Sequence, residues 1–135
     1  MFKKIHVFRI KPQQELLAEI ARYCNEHSIY SGLVLSIIGS VKRARLNFLM
    51  ELPGKYVGVE YQGPLEIVCA QGSIALKNKE PIIHIHMLLS EKEYCRGGHV
   101  AEADIFSTAE VSIAEIDYQL HRYYDDYTGL NELLS

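Results

Sequence analysis

Residues 44–51, Ala44-Arg45-Leu46-Asn47-Phe48-Leu49-Met50-Glu51, set Ala44, Leu46, Phe48 and Met50 in alternation with Arg45, Asn47 and Glu51. That period of two belongs to a strand with one dry and one wet face. Pro53-Gly54 follows as a turn and Tyr56–Tyr61 reads as a returning strand, so neighbouring strands pair antiparallel. Toward the N-terminus, Ile5–Ile10 reads as a first strand. A helix follows from Gln13 to about His27, with Pro12 suited to its first turn and Leu16, Leu17, Ile20, Ala21 and Cys24 on one stripe. Leu33-Val34-Leu35-Ser36-Ile37-Ile38 is almost continuously apolar, as in a strand buried on both faces, and Gly39-Ser40 closes it.

Toward the C-terminus, Gly63-Pro64 opens a strand at Leu65–Ala70 that resumes after Gly72 at Ser73–Leu76, and Ile82–Leu89 is the next. Ser90–Gly98 is a charged connection. Ala109–Leu120 fits a strand through Val111, Ile113 and an outward Glu115, and a helix through Ile113, Ile116 and Leu120; the β-branched residues favour the strand. Tyr118, Tyr123, Tyr124 and Tyr127 read as packing or interface material around a turn at Asp125-Asp126 and Gly129. These elements predict an α/β chain of the α+β type: one domain over residues 1–135, an antiparallel-rich sheet and a flanking helix.

A chain of 135 residues, 48% hydrophobic and 23% charged, holds one core and needs neither disulfides nor a structural metal to sustain it. Any metal would therefore serve function. Fourteen basic against seventeen acidic side chains leave a net charge of −3, the wrong sign for holding DNA by bulk electrostatics. The densest basic cluster, Lys42-Arg43-Arg45, reads as a solvated turn or a local phosphate contact. The basic start Met1–His6 lacks the apolar core of a signal peptide, and no apolar run is long enough for a membrane span, so a cytoplasmic protein without a membrane partner is expected. Cys24, Cys69 and Cys95 form no framework or C-x-x-C pair, and Cys24 and Cys69 read as buried thiols.

The six histidines separate by position. His84 and His86 are two apart on a strand, so both rings leave one face with Cα atoms about 6.6–6.8 Å apart. His99 follows Gly97-Gly98, whose freedom at positive φ would let a returning loop carry it back to that strand. Three neutral imidazoles with one open position form a zinc site of the catalytic type, able to polarise a carbonyl or acidify bound water. Glu66, in an otherwise apolar strand, and Glu110 are the carboxylates that could complete it; a pairing of Glu66 with Arg9 is the structural alternative. Cys95, four residues before His99, is a less favoured fourth ligand. His6, His27 and His121 lack such company and read as surface or packing residues.

Ser36-Ile37-Ile38-Gly39-Ser40-Val41, Gly63-Pro64-Leu65-Glu66-Ile67-Val68, Gly72, Pro81-Ile82-Ile83-His84-Ile85-His86, Gly97-Gly98-His99 and Thr108-Ala109-Glu110-Val111 resemble, in that order, the plants-and-prokaryotes-conserved (PPC) domain from about Arg9 to Gly129. The resemblance implies a compact fold with a curved sheet, assembled as a homotrimer. It places the family's histidines on His84, His86 and His99 and its acidic positions on Glu66 and Glu110. The fold is also similar to that of acetolactate decarboxylase, a zinc enzyme with a His-X-His strand and a further His. The resulting expectation is a trimer holding zinc or another divalent metal on His84, His86 and His99, with a small anionic or carbonyl ligand in the open position. Glu66 or Glu110 would act as acid/base and Arg9 as an anion contact. Plant members of the family are DNA-associated through AT-hook segments outside this domain, and no such segment occurs here, so a DNA-associated oligomerising module is the alternative expectation. A structural interaction protein with a vestigial pocket is the third.

Overall fold

The computed structural model describes residues 1–134. Its strands are Phe2–Ile10 (β1), Gly32–Glu51 (β2), Lys55–Lys77 (β3), Glu80–Ser90 (β4), Cys95–Ile116 (β5), His121–Asp125 (β6) and Leu130–Leu134 (β7), and its helix is Leu16–Glu26 (α1). The expected hairpin is present: Ala44 lies opposite Tyr61 and Leu46 opposite Val59 across β2 and β3. The sheet runs β1-β5-β2-β3-β6-β7, and β4 pairs with both β3 and β5. Because β2 also pairs with both β3 and β5, strands β2, β3, β4 and β5 close into a ring.

Closing that ring requires long strands that bend. β2 does not end at Gly39-Ser40, as its sequence suggested, but runs on to Glu51, 20 residues in all, with register shifts against β5 on either side of Gly39. A Cβ on Gly39 would lie 1.8 Å from the Thr108 carbonyl oxygen, so the backbones approach there as only glycine allows. Gly63-Pro64 likewise lies inside β3 rather than at its start.

Helix α1 buries Leu16, Ile20 and Cys24 against one face of the sheet. It starts at Leu16 rather than Gln13, because Gln13 has φ 71° and Glu15 caps the helix. The Glu15 carboxylate accepts from the Ala18 amide at 2.7 Å and from the Ala103 amide at 3.0 Å, so one side chain both starts the helix and ties it to β5. Ala109–Ile116 continues β5 as strand. The hairpin of β6 and β7 turns at Asp125–Gly129, where Asp125 accepts from the Thr128 and Gly129 amides.

The run Leu33–Ile38 is buried on one face only. Val34 and Ile37 enter the core, while Leu33, Leu35 and Ile38 point outward, Ile38 with 61% of its surface exposed. Ile5 and Val7 of β1 extend this outward apolar surface, since Ile5 and Leu33 both pair with Ala114 and Val7 and Ser36 both pair with Ser112. The expectation of two buried faces therefore fails within one chain, because the single helix covers only one side of the sheet. Cys24 is buried as expected, but Cys69 is exposed. No helix among the described residues is long and apolar enough to cross a membrane.

Candidate metal centre

On β4, Ile85 and Met87 enter the core while His84 and His86 leave the opposite face. His99 of β5 is the direct cross-strand partner of His86. The delivery of His99 differs from the expectation: Gly97 and Gly98 lie within the ladder, opposite Leu88 and Met87, and neither has a positive φ. They are small because space is short. A Cβ would stand 3.1 Å from Leu88 Cδ1 at Gly97 and 3.1 Å from Phe48 Cε1 at Gly98. Gly72 makes a closer approach behind the site, where a Cβ would meet the His84 carbonyl oxygen at 2.0 Å.

The three rings converge, with centroids 5.0 Å apart for His84 and His86, 4.9 Å for His84 and His99, and 5.5 Å for His86 and His99. Each offers a nitrogen within 4.8 Å of the others. Tetrahedral zinc with bonds of about 2.0–2.1 Å needs nitrogens roughly 3.3 Å apart, a gap that small ring rotations close. Burial, reinforced by His99, Arg122 and His86, pushes the His84 pKa down to about 4. Burial, then His86 and Arg122, also lowers that of His99. Both rings are consequently neutral at pH 7, with lone pairs available, as metal ligation requires. The donor set thus fits a divalent metal of the zinc type, and no fourth His, Cys, Asp or Glu joins it among the described residues. Cys95 stays outside the group, in register with Ser90 at the start of β5.

Two neighbours of the triad carried no sequence signal. The Tyr56 ring lies 5.9 Å from that of His99. Arg122, on β6, is 8% exposed and places Nη2 3.4 Å from His84 Nδ1. It lies among the C-terminal tyrosines, with no spacing that links it to a histidine 38 residues earlier; only the pairing of β6 with the edge of β3 brings it in.

The other candidates lie elsewhere. Glu66 is solvent-exposed, so its place in an apolar run carries no burial cost. It is paired with Ser40 and Ser90 and lines a cleft of about 880 Å³ with Ser107, Tyr94 and Phe106. Five positions separate it on β3 from Gln71, the partner of His86. Glu110 stands in register with Arg9 and Ile38, eleven positions beyond His99 on the same strand. Arg9 donates to Thr108 Oγ1 at 2.9 Å and to the Ser107 carbonyl at 3.3 Å rather than to Glu66. In the basic cluster, Arg43 is matched by Glu60, by Glu102 at 3.3 Å and by Asp104 at 3.1 Å, which leaves Lys42 and Arg45 as its uncommitted cations among the described residues. His6, expected to be a surface or packing residue, is a packing one: it is 5% exposed, with Nε2 3.1 Å from Glu115 and Nδ1 3.3 Å from the Tyr23 hydroxyl.

Fold and site together define a small α+β domain on a bent, ring-closed antiparallel sheet, with a partly exposed cluster of three imidazoles on its outer surface. The chain belongs to the Plants and Prokaryotes Conserved (PCC) domain family, whose pattern it matches over residues 1–117. Among solved structures, a metal-containing protein from Archaeoglobus fulgidus is similar over 100% of this chain and 96% of its own, with TM-score 0.93 and 29% identity. A plant- and prokaryote-conserved protein from Pyrococcus horikoshii covers 100% of this chain and 95% of its own, with TM-score 0.88 and 25% identity. A Staphylococcus aureus protein similar to alpha-acetolactate decarboxylase shares the fold at TM-score 0.57 and 18% identity, over 90% of this chain and 56% of that one. Bifunctional GlmU proteins from two Synechococcus strains are 29% and 31% identical over 133 residues, 96% of this chain but 20% of theirs. The chain thus spans about a fifth of the length of those curated relatives.

Proposed function

We propose that this domain binds one divalent metal, zinc by preference, through His84, His86 and His99, and offers the remaining position to a small anionic or carbonyl ligand. The observation that carries this reading is the convergence of three ligand nitrogens within 4.8 Å on one solvent-accessible face. The neutrality of His84 and His99 supports it, as does the metal-containing relative of the same fold. A metal there would supply Lewis acidity; the chain's own residues would hold it with one side open.

The outward apolar surface of Ile5, Val7, Leu33, Leu35 and Ile38 supports assembly, for which a homotrimer is the proposed form. Glu66, Glu110 and Arg9 lie away from the triad within one subunit, so acid/base roles for the carboxylates or an anion contact for Arg9 at this centre would come from a neighbouring subunit. Metal analysis of untagged protein tests the central reading: about one metal per chain is expected, with none in His84→Ala. Absence of stoichiometric metal from protein purified with zinc would sink it. Light scattering should report a trimer, and Leu35→Asp should shift it toward monomer. The DNA-associated alternative now depends on Lys42 and Arg45; a duplex shift at low salt that collapses steeply with added salt would favour it.

A further inference from the structure

Arg122 is buried yet incompletely used. Its Nη1 donates to the Asn131 carbonyl at 3.0 Å and its Nη2 to Ser73 Oγ at 2.7 Å, while Nε has no partner among the described residues. A buried cation is costly unless something negative meets it. Burial lowers its proton affinity and Glu132 partly offsets that, but the two form no ion pair among the described residues. Nη2 also reaches His84 Nδ1 at 3.4 Å, so the guanidinium stands at the edge of the triad, and its unpartnered Nε–H is buried. Arg122 belongs to the C-terminal hairpin of β6 and β7, beyond residues 1–117 that the family pattern matches.

The chemistry of His84 links this arginine to ligand binding. A neutral imidazole has one lone pair and one N–H, and a guanidinium can only donate. While Arg122 donates to Nδ1, the His84 lone pair is held there. If His84 gives Nδ1 to a metal, Arg122 is displaced; if it gives Nε2, Nδ1 carries the proton and can no longer accept. Either choice ends the Arg122–His84 contact and frees one N–H of Nη2, the other still donating to Ser73 Oγ. Three neutral imidazoles bring no negative charge, so a divalent ion beside Arg122 would leave the centre strongly positive. A planar carboxylate matches a guanidinium edge in geometry and charge.

We infer that Arg122 is the anion anchor of the centre, so that its ligand is a small carboxylate bridging this guanidinium and the metal position, as a 2-oxo acid would. The inference rests on the metal reading above. Cobalt-loaded protein is titrated with pyruvate and with its neutral analogue pyruvamide, and the visible absorption of the cobalt reports binding. Wild type should prefer pyruvate. Arg122→Gln should weaken pyruvate by about tenfold or more and leave pyruvamide unchanged, with cobalt stoichiometry retained and cobalt affinity equal or higher. Arg122→Lys, which keeps the charge without the fork, should fall between and guards against a folding defect in the first variant. Equal affinities for pyruvate and pyruvamide in wild type, or a pyruvate affinity within twofold of wild type in both variants, would overturn the inference and leave the metal reading intact. Wild-type protein that takes up no cobalt would overturn both.

Discussion

Two groups of histidines in this molecule have opposite hydrogen-bonding economies. Around Tyr23, His6 finds a partner for each nitrogen, in Glu115 and in the tyrosine hydroxyl. His27 uses Nδ1 on the Tyr23 carbonyl at 2.9 Å and stacks on the tyrosine ring at 3.9 Å, and Phe8 stacks on that ring at 3.8 Å. In the triad, His86 and His99 make no side-chain hydrogen bond to protein among the described residues, and His84 makes only the long contact to Arg122. An imidazole with both nitrogens satisfied has become part of the fold. Imidazoles that face one another without protein partners leave their nitrogens open to a ligand, and nothing in the core needs them there.

The largest expected contrast comes from exchanging the defects. His86→Ala should lower zinc affinity by more than about a hundredfold, beyond what loss of an outer contact causes, while the urea midpoint of metal-free protein stays within error. His6→Ala should do the reverse, costing about 2–3 kcal/mol of unfolding free energy by leaving Glu115 Oε2 and the Tyr23 hydroxyl without their partner and opening a cavity, with zinc stoichiometry unchanged. Equal metal loss in both variants would erase the distinction.

Acid should separate the two groups more gently. His84 titrates near 4 when folded and near 6.5 when unfolded, so the native state binds fewer protons between those values. Metal-free protein should lose stability as pH falls from about 6.5 toward 4, and His84→Gln should flatten that limb. Glu115 has the other sign of dependence on its partners: the Lys3 ammonium first, then His6, hold its carboxyl below the usual carboxylate range against a burial effect that raises it. Its contribution is present above the ordinary carboxylate pKa and lost as pH falls through its lower folded value. The smallest expected effect is therefore that Glu115→Gln alters the limb below about pH 4.5 and leaves the limb above it in place.

Much of this was legible in the chain. Alternation at Ala44–Glu51 and the turn at Pro53-Gly54 are local signals, and they predicted the hairpin because adjacent strands pair through short connections. The spacing of His84 and His86 placed two rings on one face through strand geometry alone. His99 was identified through the wrong cause: the glycines before it supply space for strand packing rather than a flexible return. Leu33–Ile38 misled for a related reason, since a chain destined for an outward apolar surface has the composition of one buried on both sides.

The sequence by itself determined the approximate strands, the helix, the one-domain architecture and the three candidate ligand imidazoles, because each follows from periodicity or from motifs a few residues long. Only the tertiary structure decided that Arg122 joins the triad, that Glu66 and Glu110 do not reach it within one subunit, and that His6 belongs to the core. Those outcomes depend on ring closure by bent strands and on β6 docking against the edge of β3. Such contacts link residues 38 or 109 positions apart, a separation at which no local pattern in the chain carries information about what will touch.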